Sequence, residues 1–268
     1  MRKKIVKFSF VLALLYISIC SYMYFYQTDF IFKPSKIASD YHFHFDQTFE
    51  EINIPVENAI LNAGLFKTDS IAKGVIFFVH GNAENMTKLE EHADYYNTLG
   101  YDFFAYDFRS FGKSTGKNTT EQQFYKDAKI VYDFIKKRYN ETKITVIGYS
   151  IGTATAAFLA AENHPRNLAL IAPYYSLSKM TLHRYKIIPP FLLKFPFDTY
   201  QHIQKATCNI GLFHGTIDEV IPFENSVELV KLNKKATLYR FDGQLHDFFE
   251  RNEAFRKKMN TFLDHCLK

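Results

Sequence analysis

The chain has 268 residues, 47% hydrophobic and 23% charged, which is ordinary globular usage and excludes a disordered or collagen-like polymer. The formal net charge of +5 sits at one end: Arg2, Lys3, Lys4 and Lys7 precede the first acid, Asp29, leaving 29 basic against 28 acidic residues for the remainder. A nucleic-acid binder carries its basic excess on the folded body, so no nucleic-acid partner is expected.

Residues 8–26 carry no charge and form a stretch long enough to cross about 30 Å of hydrocarbon as a helix. A cleaved signal peptide needs a small-x-small site, which residues 17–21 lack, and Ile19 ahead of Cys20 opposes a lipoprotein signal. A retained single-span anchor fits best, with Tyr22, Tyr24, Phe25 and Tyr26 as an aromatic girdle. The four leading positive charges then predict a cytoplasmic N-terminus and a catalytic body outside the cytoplasm or in a lumen. The expected organisation is a tip and anchor over 1–27 and one domain over 28–268, free of repeats and linker tracts. Cys208 and Cys266 can pair or stay free. Asn85, Asn118 and Asn140 open N-x-[ST] sequons, which matter only in a cell that glycosylates.

Along the body, residues 49–55 and 60–66 flank the polar break Glu57-Asn58 and predict an antiparallel pair. Short continuous apolar runs follow at 74–79, 101–106, 144–147, 168–171, 210–213 and, less cleanly, 237–241, as expected of strands buried on both faces. Helical periodicity fills the gaps at 89–99, 121–139, 151–162, 225–232 and 248–267. The alternation predicts an α/β fold whose mainly parallel sheet is covered on both faces, with chemistry in the loops beyond the strands' carboxyl ends. Residues 174–205 are rich in Pro and aromatics without a clean period and predict a short lid. Its rings, Tyr174, Tyr175, Phe191, Phe195 and Phe197, either line an apolar acyl pocket or only pack the lid onto the sheet.

Directly after the 144–147 run stands Gly148-Tyr149-Ser150-Ile151-Gly152, followed by a helix of small residues. This is the strand–turn–helix setting of a nucleophile elbow, which exposes Ser150 at a helix N-terminus. The acid and the base follow in the chain order this arrangement requires. Asp218 lies after the 210–213 strand, with Glu219 as the neighbouring alternative, and His246 lies between the last strand and the last helix. His80 and His214 each precede a turn glycine and are expected to shape their loops; the other histidines, His92 among them, are expected on the surface or in packing. The oxyanion donors are expected to be the N–H groups of Ile151 and of Asn82, with Ala83 as an alternative to the latter. No His or Cys spacing suits a metal. Gly112-Lys113-Ser114 resembles the end of a phosphate loop, yet Asp107 stands where the leading Gly is needed.

Five segments in order, His80-Gly81-Asn82-Ala83-Glu84-Asn85, residues 107–116, Gly148-Tyr149-Ser150-Ile151-Gly152, residues 214–222 and His246, resemble the α/β-hydrolase superfamily. The nearest likeness is to its membrane-anchored, serine aminopeptidase-like and lysophospholipase-like branch, over about residues 45–268. The resemblance implies a Ser150-Asp218-His246 triad and two-step acyl transfer without metal or organic cofactor. It also makes 107–116 a structural loop in which Ser110 replaces the usual Gly, and its lid is shorter than those of dedicated lipases. The expected activity is a serine hydrolase cleaving a carboxylic ester or thioester with an apolar acyl group near a membrane. The alternatives are an amide hydrolase of the aminopeptidase type, an acyltransferase using the same triad, and a catalytically silent tethered binding protein.

Overall fold

The computed structural model describes residues 2–184, 188–247 and 249–264. Eight strands, β1 (Phe49–Val56), β2 (Ala59–Phe66), β3 (Val75–Val79), β4 (Asp102–Tyr106), β5 (Ile144–Tyr149), β6 (Asn167–Ile171), β7 (Asn209–Gly215) and β8 (Ala236–Phe241), form one sheet in the order β1-β2-β4-β3-β5-β6-β7-β8. β1 and β2 are antiparallel and close through the two-residue turn Glu57-Asn58, where Asn58 takes φ +56°. From β4 across to β8 every pairing is parallel.

The central strands read as unbroken apolar runs because both faces are covered. In β3 all five residues are buried, and they alternate between two cores. Val75, Phe77 and Val79 join the layer under α3 (Glu121–Lys136) and α4 (Gly152–Glu162). Ile76 and Phe78 join the layer under α2 (Glu90–Thr98) and α8 (Glu253–Asp264). The helix α3 shows why such a sequence folds locally. Thr120 caps it by accepting the Gln123 N–H at 3.2 Å, and Phe124, Ala128, Val131, Tyr132 and Ile135 present one buried stripe. In α4 the buried Ala154, Ala156, Ala157 and Ala160 let the helix lie close to the sheet.

The lid comprises α5 (Leu177–Arg184), a short turn of helix at Pro190–Leu192 and α6 (Thr199–Lys205). Its aromatic rings divide. Tyr174, Phe195 and Phe197 are buried in the core and Tyr175 stacks on Tyr200 at 4.7 Å, whereas Phe191 is 83% exposed. Packing, not an enclosed acyl pocket, accounts for the buried rings.

At the N-terminus α1 runs Arg2–Ile31, further than the uncharged stretch, and is long and apolar enough to cross a membrane. Its last turn belongs to the body: Gln27 is buried, and Phe32 sits in the core against Phe111, Phe124, Phe195 and Phe197. α1 therefore runs unbroken past the expected boundary at 27/28, and its last turn packs with the body. The last helix is described as far as Asp264, so the possible Cys208–Cys266 pairing lies outside the described residues, as does His265.

Candidate active site

The sheet order places the carboxyl ends of β5, β7 and β8 along one edge, and each delivers one expected site residue. After β5 the chain turns so sharply that Ser150 takes φ +51°, a left-handed conformation that a side-chain-bearing residue occupies only under surrounding constraint. That constraint is visible. The Ser150 N–H donates to Ile171 O at 3.0 Å, and its carbonyl accepts from the N–H of Thr153 at 3.0 Å and from the Thr153 hydroxyl at 2.6 Å. A Cβ on Gly152 would stand 2.2 Å from Val79 O, so only glycine lets α4 start this close to β3.

The β7 and β8 loops are fastened to each other. A Cβ on Gly215 would stand 2.1 Å from Gln244 O, and the Gly243 N–H donates to the Thr216 hydroxyl at 3.1 Å. This brings His246 to Asp218 and Ser150 together. Nδ1 of His246 donates to Asp218 Oδ2 at 2.7 Å, which leaves Nε2 as the acceptor for the Ser150 hydroxyl at 3.0 Å. The neighbouring Glu219 is exposed and takes no part.

Asp218 is buried, which pushes its carboxyl up. The hydrogen bonds from His214 and His246 and from the Ile221 N–H outweigh that burial and hold the group well below the usual carboxylate range. His214 does more than shape its loop. Its Nε2 lies 3.2 Å from the same Asp218 oxygen and 3.0 Å from Ile221 O, and its Nδ1 accepts from the Ser226 hydroxyl at 2.7 Å. Tyr149 is a second residue that sequence reasoning did not assign. Its hydroxyl donates to Asp247 Oδ1 and lies 3.2 Å from His246 O, and its ring lies tilted by 30° against the imidazole with centroids 5.6 Å apart. Tyr149 acts on partners nearly a hundred residues away in the chain, whereas His214 sits four residues before Asp218, inside the 214–222 segment, where it reads first as a turn residue.

Among the described residues neither the Asn82 nor the Ile151 N–H donates a hydrogen bond within the protein. Both belong to segments at the β3 and β5 ends of the same edge, as oxyanion donors require, and Ala83 beside Asn82 takes φ +64°. The β3 loop is braced twice. On one side Asn82 Nδ2 donates to Ile31 O at 2.7 Å and its Oδ1 accepts the Lys33 N–H at 2.8 Å, clamping the end of α1. On the other, Glu84 accepts the Gly81 N–H at 2.6 Å and faces His92, which also bonds Glu250 at 2.7 Å. Burial pushes the His92 imidazole down, but these carboxylates, Glu250 foremost, raise it to about 10. Of the two expected roles, surface or packing, His92 takes the second, as a charged brace between Glu84 and Glu250. A cavity of about 190 Å³ lies behind it, lined by Glu84, His92, Tyr149, Asp247 and Glu250 but by none of Ser150, Asp218 and His246.

The structural-loop reading of 107–116 also holds. Arg109 forms a buried two-pronged ion pair with Asp127 at 2.5 and 3.0 Å, and Ser110 takes φ +70°, the conformation that explains why glycine is usual there. Gly112, Lys113 and Ser114 spend their polar groups on Ser35 O, Glu51 and Asp107 O, which leaves no phosphate cradle. The buried Asn85 and Asn118 are closed sequons, while Asn140 is exposed.

A sequence profile described as Hydrolase_4, serine aminopeptidase, S33, matches residues 70–196. The fold superimposes on an esterase from Pyrococcus furiosus with a TM-score of 0.69 at 18% identity, covering 88% of this chain and 98% of that one. The chain belongs to the α/β-hydrolase superfamily. Within that superfamily it is 28% identical over 202 residues to an uncharacterized protein of Acanthamoeba polyphaga mimivirus, covering 66% of each chain. It is 29% identical over 167 residues to human alpha/beta hydrolase domain-containing protein 17B, covering 59% of this chain and 54% of that one. The matched part of this α/β hydrolase thus spans between about half and two thirds of those relatives' own lengths. A monoacylglycerol lipase from Paleococcus ferrophilus shares the fold with a TM-score of 0.61 at 20% identity, covering 76% of this chain and 98% of that one.

Proposed function

We propose that this α/β hydrolase is a membrane-anchored serine hydrolase that cleaves carboxylic esters or thioesters through an acyl-enzyme. The observation that supports the reading most is the continuous chain from the Ser150 hydroxyl to His246 Nε2 at 3.0 Å and from His246 Nδ1 to Asp218 at 2.7 Å. In that arrangement His246 takes the Ser150 proton as the hydroxyl attacks the carbonyl, and the ionised Asp218 stabilises the imidazolium. The tetrahedral oxyanion is received by the unengaged N–H groups of Asn82 and Ile151, each worth about 3 kcal/mol in comparable sites. His246 then protonates the leaving alkoxide or thiolate, and water attacks the acyl-Ser150 by the same path. The exposed apolar side chains of Ile217, Val220 and Leu245, next to Asp218 and His246 in the chain, suit an apolar acyl group. The apolar α1, whose first two turns carry Arg2, Lys3, Lys4 and Lys7, supports a single span with the catalytic body outside the cytoplasm.

Hydrolysis of p-nitrophenyl esters of increasing chain length, beside thioester and amide analogues, tests the reading. We expect ester and thioester turnover that Ser150→Ala lowers by 10³-fold or more. Turnover of amides alone, or equal turnover by Ser150→Ala, would overturn it.

A further inference from the structure

Lid and membrane helix meet along a groove that the catalytic site does not use. It measures about 400 Å³, and its walls are apolar: Tyr16, Ile17, Cys20 and Tyr24 from α1, and Phe191 and Leu192 from the lid tip. The lid is locked in this register by the buried Gln27, whose Nε2 donates to Leu192 O at 3.0 Å and whose Oε1 accepts the Lys194 N–H at 2.7 Å.

Depth along α1 then decides what surrounds the groove. The uncharged stretch 8–26 has its midpoint at residue 17, so Tyr16 to Tyr24 covers the half nearer the catalytic body. At 1.5 Å per residue that is about 12 Å, close to the ~15 Å hydrocarbon depth of one leaflet. A lid tip that lines the groove down to Tyr16 therefore stands at acyl-chain depth, and Phe191, 83% exposed, is a side chain that water would not favour there. At the other end of the groove the Lys194 ammonium lies 4.2 Å above the Tyr24 ring, a cation at headgroup level.

We propose that the lid tip is a second membrane-inserted element, and that its groove against α1 holds one acyl chain of a lipid from the leaflet facing the catalytic body, with the lipid phosphate beside Lys194. This rests on the membrane-anchor reading above. It narrows the substrate class to esters presented from the bilayer. The root of the lid touches the site, since the Tyr174 hydroxyl donates to Ile151 O at 3.1 Å.

The chain has no Trp, so a single introduced Trp is the only such emitter. Full-length Phe191→Trp and, separately, Tyr16→Trp are placed in phosphatidylcholine vesicles carrying bromine at defined acyl carbons. We expect both to emit in the blue and to be quenched, Phe191→Trp at least half as strongly as Tyr16→Trp. Quenching of Tyr16→Trp with water-like, unquenched emission from Phe191→Trp overturns the lid insertion and leaves the anchor standing. Loss of quenching at both positions overturns the anchor itself. Blue but unquenched emission at 191 together with a cross-linked dimer gives the groove to a second copy, and overturns the lipid assignment. As an activity readout, Phe191→Asp is expected to lower turnover of a vesicle-embedded ester at least tenfold and to leave a soluble short-chain ester within twofold. Equal loss on both substrates contradicts the proposal.

Discussion

Ser150 shows how much a single residue depends on its surroundings. Its φ of +51° is unfavourable by itself and is held by the bond to Ile171, the two from Thr153 and the absence of a side chain at Gly152. Asp218 is the other residue whose role follows from its contacts. Four groups converge on its carboxylate, with the Val220 and Ile221 N–H groups on Oδ1 and the two histidines on Oδ2. Asp218→Asn is expected to present an amide N–H to one of these donors and to favour the wrong His246 tautomer. The expected fall in kcat is about 10⁴-fold with little change in KM, measured on a soluble ester. A loss under tenfold contradicts the assignment of Asp218. Ser150, Asp218 and His246 were legible in the sequence because each follows an apolar strand, and strand ends are where such a sheet gathers its chemistry. His214 and Tyr149 were not, because their importance lies in bonds to Asp218 and to the His246 loop that no periodicity encodes.

Among the elements, the segment joining α1 to β1 is the least legible and the most consequential. It carries no period, yet it straps the site. Asn82 grips it at Ile31 and Lys33, Asn85 Nδ2 donates to Ser35 O at 3.1 Å, and Ile37 bonds Gly112 O at 3.0 Å. The side chain of Asn82 therefore ties the end of α1 to the residue whose backbone N–H is the proposed oxyanion donor. Asn82→Ala keeps that N–H and removes the tie. It is expected to lower kcat roughly tenfold at unchanged KM, a loss of about 1.4 kcal/mol of transition-state stabilisation. A raised KM at full kcat would show that the tie serves substrate binding instead. The strands and covering helices needed no such long-range knowledge. Their bounds differ from the sequence expectation by at most three residues, as at α3, which ends at Lys136 rather than 139, except at 248–267, where a turn at Phe249–Arg251 precedes α8 and delays the start of the helix to Glu253.

At the scale of the whole molecule, the catalytic edge is clamped between α1 and the charged group formed by Glu84, His92 and Glu250. His92 carries a stability signature. Its imidazole has an ordinary value near 6.5 when unfolded and is raised to about 10 in the fold. Its stabilising contribution is therefore fully present below about pH 6.5 and is lost as pH rises through about 10. Thermal unfolding followed from pH 6 to pH 10 is expected to show the parent losing several degrees more than His92→Gln. Parallel curves would contradict a charged His92. The measurement that bears most directly on the central claim is labelling of the full-length protein by a fluorophosphonate probe, beside Ser150→Ala and His246→Ala. The activated serine described here predicts one labelled adduct at Ser150 in the parent, none in Ser150→Ala, and at least a hundredfold slower labelling in His246→Ala. An unlabelled but folded parent, or equal labelling of all three, would contradict a Ser150 nucleophile driven by His246.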